Sequence, residues 1–198
     1  DVFGYPFVVP AHQGRGAEHL LSQALIGKGG GYVPNNLYFT TSRFHQELAG
    51  GTCVDVSVDN AQDPESAAPF KGNIDIEKLQ RCIKEKGAAR IAFVRIEASL
   101  NMAGGQPFSM ENLHAVSELC RAHKIFLLLD ATRVSENAWF IQTRESGYER
   151  ASLSSLVRDI CDLTDGCTMS SKKDHYVPIG GFLATRNKAL YRRAKELV

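Results

Sequence analysis

Short apolar runs alternate along the chain with stretches in which apolar residues recur about every three or four positions. The short runs predict β-strands, and the longer period predicts helices that bury one face. Strands are predicted at residues 7–9, 32–33, 52–58, 90–96, 125–130, 166–169 and 180–184. Helices are predicted at residues 17–26, 40–48, 75–86, 109–123, 134–143, 152–163 and 187–198. Pro10 is expected to stop the first strand, and residues 11–16 to form the loop before the first helix.

Strands that alternate with helices in this way are typical of an α/β domain with a largely parallel sheet. The run at residues 125–130 is almost continuously apolar, as in a strand that is buried on both faces. In such sheets, ligands bind at the carboxyl ends of the strands. We therefore expect the loop after Val9, the side chain of Asp130 and residues 170–173 to lie together at one edge of the sheet.

Composition narrows the range of partners. The 23 lysine and arginine residues nearly balance the 22 aspartate and glutamate residues, so no charge excess favours nucleic acid or an anionic membrane.

The five cysteines include no C-x-x-C pair and the six histidines lack metal-ligand spacing, so we predict neither a disulfide framework nor a metal site. No apolar run reaches the length of about 18 residues that a membrane helix needs. Thiols among apolar neighbours fit a reducing compartment, and we expect a cytoplasmic protein.

The two ends of the chain suggest its relation to a longer polypeptide. It begins at Asp1 rather than at methionine, and it stops at Val198 inside a predicted helix. We therefore expect residues 1–198 to be one cofactor-binding domain of a longer chain, in which other residues needed for activity lie elsewhere.

Three features of the predicted carboxyl edge together match the needs of pyridoxal phosphate. The aldehyde of this cofactor requires an amine, which Lys173 offers. Its ring nitrogen requires an anion, which Asp130 offers at the end of an apolar strand. Its phosphate requires N–H donors, and the segment from Gln13 to Gly16 combines two glycines with the start of a helix.

Each feature also has an ordinary structural explanation. The glycine segment is typical of a plain strand-to-helix turn with a solvated Arg15. Asp130 has an alternative ion-pair partner in Arg133, three residues later. Most lysines are surface charges, although the apolar segments around Lys173 predict that buried strands desolvate its amine. The amide of Asn101 would either donate to a phenolate oxygen or form only a polar turn.

Longer motifs carry a resemblance to a known family. They are PAHQGRGAE at residues 10–18, YFTT at 38–41, AGGQP at 103–107, DATR at 130–133, ENA at 136–138 and SSKKD at 170–174. In this order they resemble the β-eliminating lyases, which are pyridoxal phosphate enzymes of the aspartate aminotransferase fold. The resemblance runs over residues 7–198. It implies the large domain of fold type I, a three-layer α/β/α arrangement with a mostly parallel mixed sheet, without the N-terminal arm and the C-terminal small domain.

The resemblance also implies roles for single residues. Lys173 matches the lysine that forms the Schiff base with the cofactor, and Lys172 matches a second active-site lysine. Asp130 matches the partner of the ring nitrogen, and Phe39 the ring that stacks over the cofactor. The phosphate-binding positions of the family match Gln13, Gly14, Arg15 and Ser170. The groups that face the phenolic oxygen of the cofactor match Asn101 and Arg133.

Thr40 bears on the substrate. The family members that release phenol from tyrosine resemble this chain in having threonine there, whereas those that release indole from tryptophan commonly carry aspartate. The segment DATR at 130–133 also resembles the tyrosine-cleaving form, while Pro178 resembles the tryptophan-cleaving one. The resemblance thus implies β-elimination of an aromatic L-amino acid, with L-tyrosine favoured and L-tryptophan as the alternative.

Other functions stay open on the sequence alone. The same scaffold supports other pyridoxal phosphate reactions, such as transamination or cysteine β-elimination. The chain would also serve as a cofactor-binding piece without activity of its own. For the full-length enzyme, the resemblance implies a homo-oligomer, a dimer of dimers, and a K⁺ site that uses a backbone carbonyl near Pro178.

Overall fold

A seven-stranded sheet forms the centre of the molecule, in a computed structural model that describes residues 2–198. Its strands are β1 Phe7–Ala11, β2 Gly31–Asn35, β3 Gly51–Asp55, β4 Val94–Glu97, β5 Leu127–Asp130, β6 Gly166–Ser170 and β7 Gly181–Thr185. Their order across the sheet is β1-β7-β6-β5-β4-β2-β3. Strands β2 to β6 run parallel to one another, and β7 pairs antiparallel with both β6 and β1. The prediction of a mostly parallel mixed sheet is confirmed.

Helices cover both faces of this sheet. They are α1 Gly14–Leu25, α2 Thr40–Leu48, α3 Ile76–Lys86, α4 Met110–Ala122, α5 Val134–Arg144, α6 Leu153–Asp162 and α7 Lys188–Lys195. One hydrophobic cluster joins the sheet to α1 and α7, and a second joins the other face to α3, α4, α5 and α6. Strand β5 contributes to both, with Leu128 in the first cluster and Leu127 and Leu129 in the second. The domain therefore has the three layers that the sequence resemblance implied.

The first strand and the first helix differ from the sequence prediction. Pro10 does not stop β1 but lies within it, opposite Phe182 of β7. A proline is tolerated there because β1 is an edge strand, where an N–H facing away from the sheet is not needed. Residues 14–16 are not a loop, since α1 already begins at Gly14. The glycine segment is therefore the first turn of a helix, which directs its N–H groups out of the helix end.

Several helix starts follow the local signals in the sequence. Asp75 and Ser109 precede α3 and α4, and each side chain accepts a hydrogen bond from the backbone N–H three residues later. Such caps satisfy N–H groups that the first turn of a helix leaves without a partner. Gly87 follows α3 with φ of 85°, a left-handed backbone that favours glycine. These signals are local, and the predicted bounds of α3 and α4 agree with the structure within one residue.

The described part of the chain also bears on metals, thiols and membranes. Within residues 2–198, no group of three or more histidine, cysteine, aspartate or glutamate side chains is arranged to hold a metal ion. All five cysteines are free thiols, four of them buried, while Cys53 is half-buried. No helix in these residues combines the length and the apolar character needed to cross a membrane.

Candidate functional site

A cavity of about 190 Å³ lies where the carboxyl ends of β4, β5 and β6 meet the start of α1. All but one of the residues that the sequence predicted for the site line it. They are Gln13, Gly14, Arg15, Phe39, Asn101, Asp130, Arg133, Ser170, Lys172 and Lys173. The exception is Thr40, which is exposed at the start of α2, while its neighbour Thr41 lines the cavity. Residues that are up to 160 positions apart in the sequence thus share one site.

The start of α1 forms one wall of this cavity. Gln13 caps the helix with an extended backbone, and Gly14 and Arg15 follow in the first turn. Gly14 packs so closely against the end of β6 that an added Cβ would lie 2.7 Å from the Cβ of Ser170. The first N–H groups of a helix have no partner within it, and they carry the positive end of the helix dipole. This wall is suited to bind a phosphate group.

The two lysines occupy the turn between β6 and β7, and their positions differ. Lys172 is half-buried and its Nζ donates to Oε1 of Gln13 at 2.7 Å, which ties this turn to the start of α1. Lys173 lines the cavity but is exposed, so the prediction that flanking strands desolvate its amine is wrong for this chain. The reason is that residues 177–179, although apolar, are themselves exposed and do not cover the turn.

Asp130 ends β5 on the floor of the cavity and is buried. Its Oδ2 accepts a hydrogen bond from Nη2 of Arg95 at 2.6 Å, and its Oδ1 accepts one from the backbone N–H of Thr132 at 3.1 Å. The alternative that Asp130 pairs with Arg133 is wrong, because the Arg133 guanidinium lies 3.7 Å from Glu136 instead. Arg133 is thereby left facing the cavity.

Arg95 and Glu97 of β4 form a buried charged pair beside Asp130. Nη2 of Arg95 also donates to Oε2 of Glu97 at 3.0 Å, and both side chains are almost fully buried. Oε1 of Glu97 accepts from the backbone N–H of Asn101 at 3.0 Å. Burial is the main cause that raises the pKa of Glu97. Arg95 opposes this shift, and the charge of Asp130 adds to it to a smaller extent. Burial disfavours the cation of Arg95, but the carboxylates of Glu97 and Asp130 outweigh it and raise its pKa.

Glu18 connects α1 to α2 at the back of the cavity. Its carboxylate accepts hydrogen bonds from the hydroxyl of Thr41, at 2.7 Å, and from the hydroxyl of Ser42. Burial, and then the charge of Asp130, raises the pKa of Glu18. Because Phe39 is the residue that caps α2, this contact fixes the position of the predicted stacking ring relative to α1.

Three charged residues at the site, Arg95, Glu97 and Glu18, were not predicted from the sequence. A signal for the first two exists, since Val94-Arg95-Ile96-Glu97 places two charges at alternate positions of a strand that is buried along its whole length. Charges on the same side of a buried strand must be paired, because an isolated buried ion is too costly. No comparable signal marks Glu18, which looks like an ordinary helix residue.

The arrangement fits the cofactor that the sequence implied. A helix start with a closely packed glycine offers N–H groups to a phosphate, and the buried carboxylate of Asp130 faces the same cavity from below. Lys172 and Lys173 also line this cavity. An anion site, a carboxylate and an amine around one cavity are the groups that pyridoxal phosphate requires.

Known proteins resemble this chain over nearly its whole length. The Beta-eliminating lyase family matches residues 1–197. A tyrosine phenol-lyase from Intrasporangium calvum is 55% identical over 196 residues, which are 99% of this chain and 41% of that protein. A tyrosine phenol-lyase from Symbiobacterium thermophilum is 50% identical over 198 residues, which are 100% of this chain and 43% of that protein. The chain spans about two-fifths of the length of these curated relatives.

A solved structure supports the fold alone. An aspartate aminotransferase from Rhodobacter sphaeroides superposes with a TM-score of 0.67 at 18% identity, covering 96% of this chain and 44% of that one. Since the family match covers nearly the whole sequence, the chain belongs to the β-eliminating lyase family.

Proposed function

We propose that this chain is the pyridoxal phosphate-binding large domain of an enzyme that cleaves L-tyrosine by β-elimination into phenol, pyruvate and ammonia. The observation that carries the proposal is the single cavity in which the α1 start, Asp130 and the two lysines meet. The identity of 50–55% to proteins named tyrosine phenol-lyase supports tyrosine as the substrate. Pyridoxal phosphate, when bound, withdraws electrons from the α-carbon of the amino acid.

The residues around the cavity divide the binding of the cofactor among them. In this proposal the α1 start and Ser170 hold the phosphate, and the carboxylate of Asp130 accepts a hydrogen bond from the protonated ring nitrogen. Phe39 packs over the ring, and Asn101 and Arg133 face its phenolic oxygen. All of these residues line the cavity, which supports a shared role.

We assign the proton transfers to residues of the turn between β6 and β7. Nζ of Lys173 takes the proton from the α-carbon of the substrate. The amine stands at the end of a long side chain in an exposed turn, where it can reach a bound substrate. The bond between the β-carbon and the aromatic ring then breaks, and the ring carbon gains a proton as phenol leaves. The remaining three-carbon unit reacts with water to give pyruvate and ammonia. The hydroxyl of Thr40 is proposed to contact the substrate phenol, and Lys172 to support the charge of the site.

We further propose a cytoplasmic homo-oligomer, a dimer of dimers, as the assembled enzyme. Exposed apolar side chains in the turn that carries the lysines support an interface there, since Tyr176 is 92% exposed and Ile179 is 64% exposed. A K⁺ ion is proposed to bind the backbone carbonyl near Pro178 together with ligands from outside these residues. The chain itself, residues 1–198, is proposed to fold as one domain, which the continuous sheet supports.

Tryptophan is the second candidate substrate, because Pro178 resembles the tryptophan-cleaving members of the family. The test is pyruvate release, followed with lactate dehydrogenase, from L-tyrosine, L-tryptophan and S-alkyl cysteine in the presence of added pyridoxal phosphate, measured on the full-length protein and on residues 1–198 alone. The proposal expects tyrosine to give the largest kcat/KM. Faster release from tryptophan would assign the second candidate. Cofactor binding by the full-length protein without pyruvate from any of the three substrates would overturn the proposed reaction, whereas activity of the full-length protein alone would make residues 1–198 a cofactor-binding piece without activity of its own.

A further inference from the structure

Two carboxylates lie directly opposite each other at the carboxyl edge of the sheet. Glu97 of β4 is the register partner of Asp130 of β5, so both side chains point to the same face. Both are buried, Glu97 at 4% exposure and Asp130 at 6%. Like charges at opposite positions repel, and the repulsion is strong where water is excluded. The pair therefore needs a counter-ion.

Arg95 supplies that counter-ion from within the same strand. It precedes Glu97 by two residues, and the period of two in a strand places both side chains on one face. One nitrogen, Nη2, bridges Asp130 at 2.6 Å and Glu97 at 3.0 Å. With an exposure of 1%, Arg95 is locked in this position, and it fixes the Asp130 carboxylate beside the cavity.

If Arg95 paired with Asp130 alone, its guanidinium would neutralise the negative charge of Asp130. A neutral pair of Arg95 and Asp130 would attract a cationic ring nitrogen only weakly, because the two charges cancel at short distance. An ionised Glu97 changes this balance, since one cation and two carboxylates leave one negative charge for the cavity. The third nearby carboxyl, Glu18 of α1, accepts its hydrogen bonds from the hydroxyls of Thr41 and Ser42. Its charge also acts on Arg95, but Glu97 and Asp130 are the two carboxylates that contact the guanidinium.

Glu97 also reaches the other side of the cofactor site. Its second oxygen, Oε1, accepts the backbone N–H of Asn101 at 3.0 Å. A continuous chain of hydrogen bonds thus runs from Asn101 through Glu97 and Arg95 to Asp130. The two groups proposed to face the phenolic oxygen and the ring nitrogen are held at a fixed separation by this chain.

We propose that Glu97 is a positioning residue that balances the charge of Arg95, so that Arg95 orients Asp130 without weakening its pairing with the protonated ring nitrogen of pyridoxal phosphate. The inference rests on the proposed function, because it requires that this cofactor binds in the cavity. It concerns only the ring nitrogen, and it is independent of which amino acid is cleaved.

The test compares the affinity of the protein for pyridoxal phosphate with its affinity for the 1-deaza analogue, in which a C–H group replaces the ring nitrogen. The ratio of the two dissociation constants isolates the contact at that atom, since phosphate and aldehyde are the same. Glu97→Gln keeps the size of the side chain and an oxygen for Asn101 but removes the charge. We expect it to lower the preference for pyridoxal phosphate about tenfold, the worth of a charge-assisted hydrogen bond.

The double variant Arg95→Met with Glu97→Gln gives the sharper result. It removes both members of the balanced pair and leaves the charge of Asp130, so we expect it to recover most of the preference that Glu97→Gln loses. A purely structural role predicts the opposite, because a second buried deletion would only add damage. Arg121→Met, on the solvent side of α4, is the control and is expected to leave the ratio unchanged.

The outcomes separate this inference from the proposed function. An unchanged ratio in Glu97→Gln, or a further loss in the double variant, overturns the charge balance while the lyase reaction stands. Equal affinity of the unsubstituted protein for the two compounds also overturns it. If the unsubstituted protein binds neither compound, both the proposed function and this inference fail. Thermal unfolding of each variant without cofactor shows that the ratio is measured on folded protein.

Discussion

Replacement of Gly14 by alanine tests how closely the phosphate wall is packed. Gly14 is the first residue of α1 and lies against the end of β6. The added Cβ would lie 2.7 Å from Cβ of Ser170, 3.2 Å from its Cα and 3.3 Å from its backbone nitrogen. Non-bonded carbon atoms prefer a separation of about 3.5–4.0 Å. The helix start and the strand end must therefore move apart by roughly 1 Å.

Two opposing effects set the size of the change in stability. Overpacking of this kind costs about 1–3 kcal/mol when the neighbours are a Cβ and backbone atoms, which no side-chain rotation can move away. Alanine recovers at most about 0.5–1 kcal/mol because it restricts the unfolded chain and favours the helix. The steric cost is larger, so we expect a net loss of about 1–2 kcal/mol in the free energy of unfolding. The same displacement separates two proposed phosphate contacts, and we expect the Kd for pyridoxal phosphate to rise about tenfold.

Urea unfolding and a pyridoxal phosphate titration measure the two effects on one preparation. Gly29→Ala is the matched control, because an added Cβ there meets no atom within 4 Å and its φ is not left-handed. We expect it to leave both quantities within about 0.5 kcal/mol of the unsubstituted protein. A Gly14→Ala variant that is as stable as this control and binds the cofactor equally well would refute the reasoning.

Three further changes test other parts of the site. Lys173→Ala should abolish the visible absorbance that arises when the cofactor aldehyde condenses with a lysine amine, whereas Lys188→Ala on α7 should retain it. Thr40→Asp should lower kcat/KM for tyrosine at least about tenfold relative to tryptophan, measured by pyruvate release, and an unchanged ratio would remove Thr40 from substrate selection. Because burial raises the pKa of Glu18 above its ordinary value of 4.5, the protonated form favours the folded state. The stability from this group is present below pH 4.5 and is lost as pH rises through the folded pKa, so Glu18→Gln should flatten the decline in urea midpoints above pH 4.5.

The parts of the fold that the sequence predicts best are those with local causes. The cap at Asp75, the buried face with Leu79 and Ile83, and the glycine at position 87 define α3, and each signal acts within one or two turns of the helix. The apolar run of β5 is equally direct, because a strand buried on both faces must be apolar throughout. The motifs of the candidate site were recognisable for a related reason, since each one is contiguous in the sequence.

Features that depend on neighbours in space were predicted less well. Pro10 is compatible with β1 only because that strand lies at the edge, and the order of strands cannot be read from one strand. Lys173 was expected to be desolvated because apolar segments precede and follow it, but Ile179 is itself 64% exposed. Apolar character identifies what would be favourable to bury, and it does not say that a neighbour is present to bury it.

The ion-pair partner of Asp130 also depends on neighbours in space, and the sequence predicted it wrongly. Sequence proximity suggested Arg133, which follows Asp130 by three residues. The register of two parallel strands instead places Asp130 beside Glu97, and Arg95 is then the cation on the same face. Register is fixed by the packing of whole strands, so a partner 35 residues away in sequence becomes the nearest one. The alternation of charge in Val94-Arg95-Ile96-Glu97 does predict that these side chains are paired, because burial of this strand would otherwise leave ions without partners. The alternation does not predict that the pair lies beneath the candidate site. That position follows only from the arrangement of the strands in the sheet.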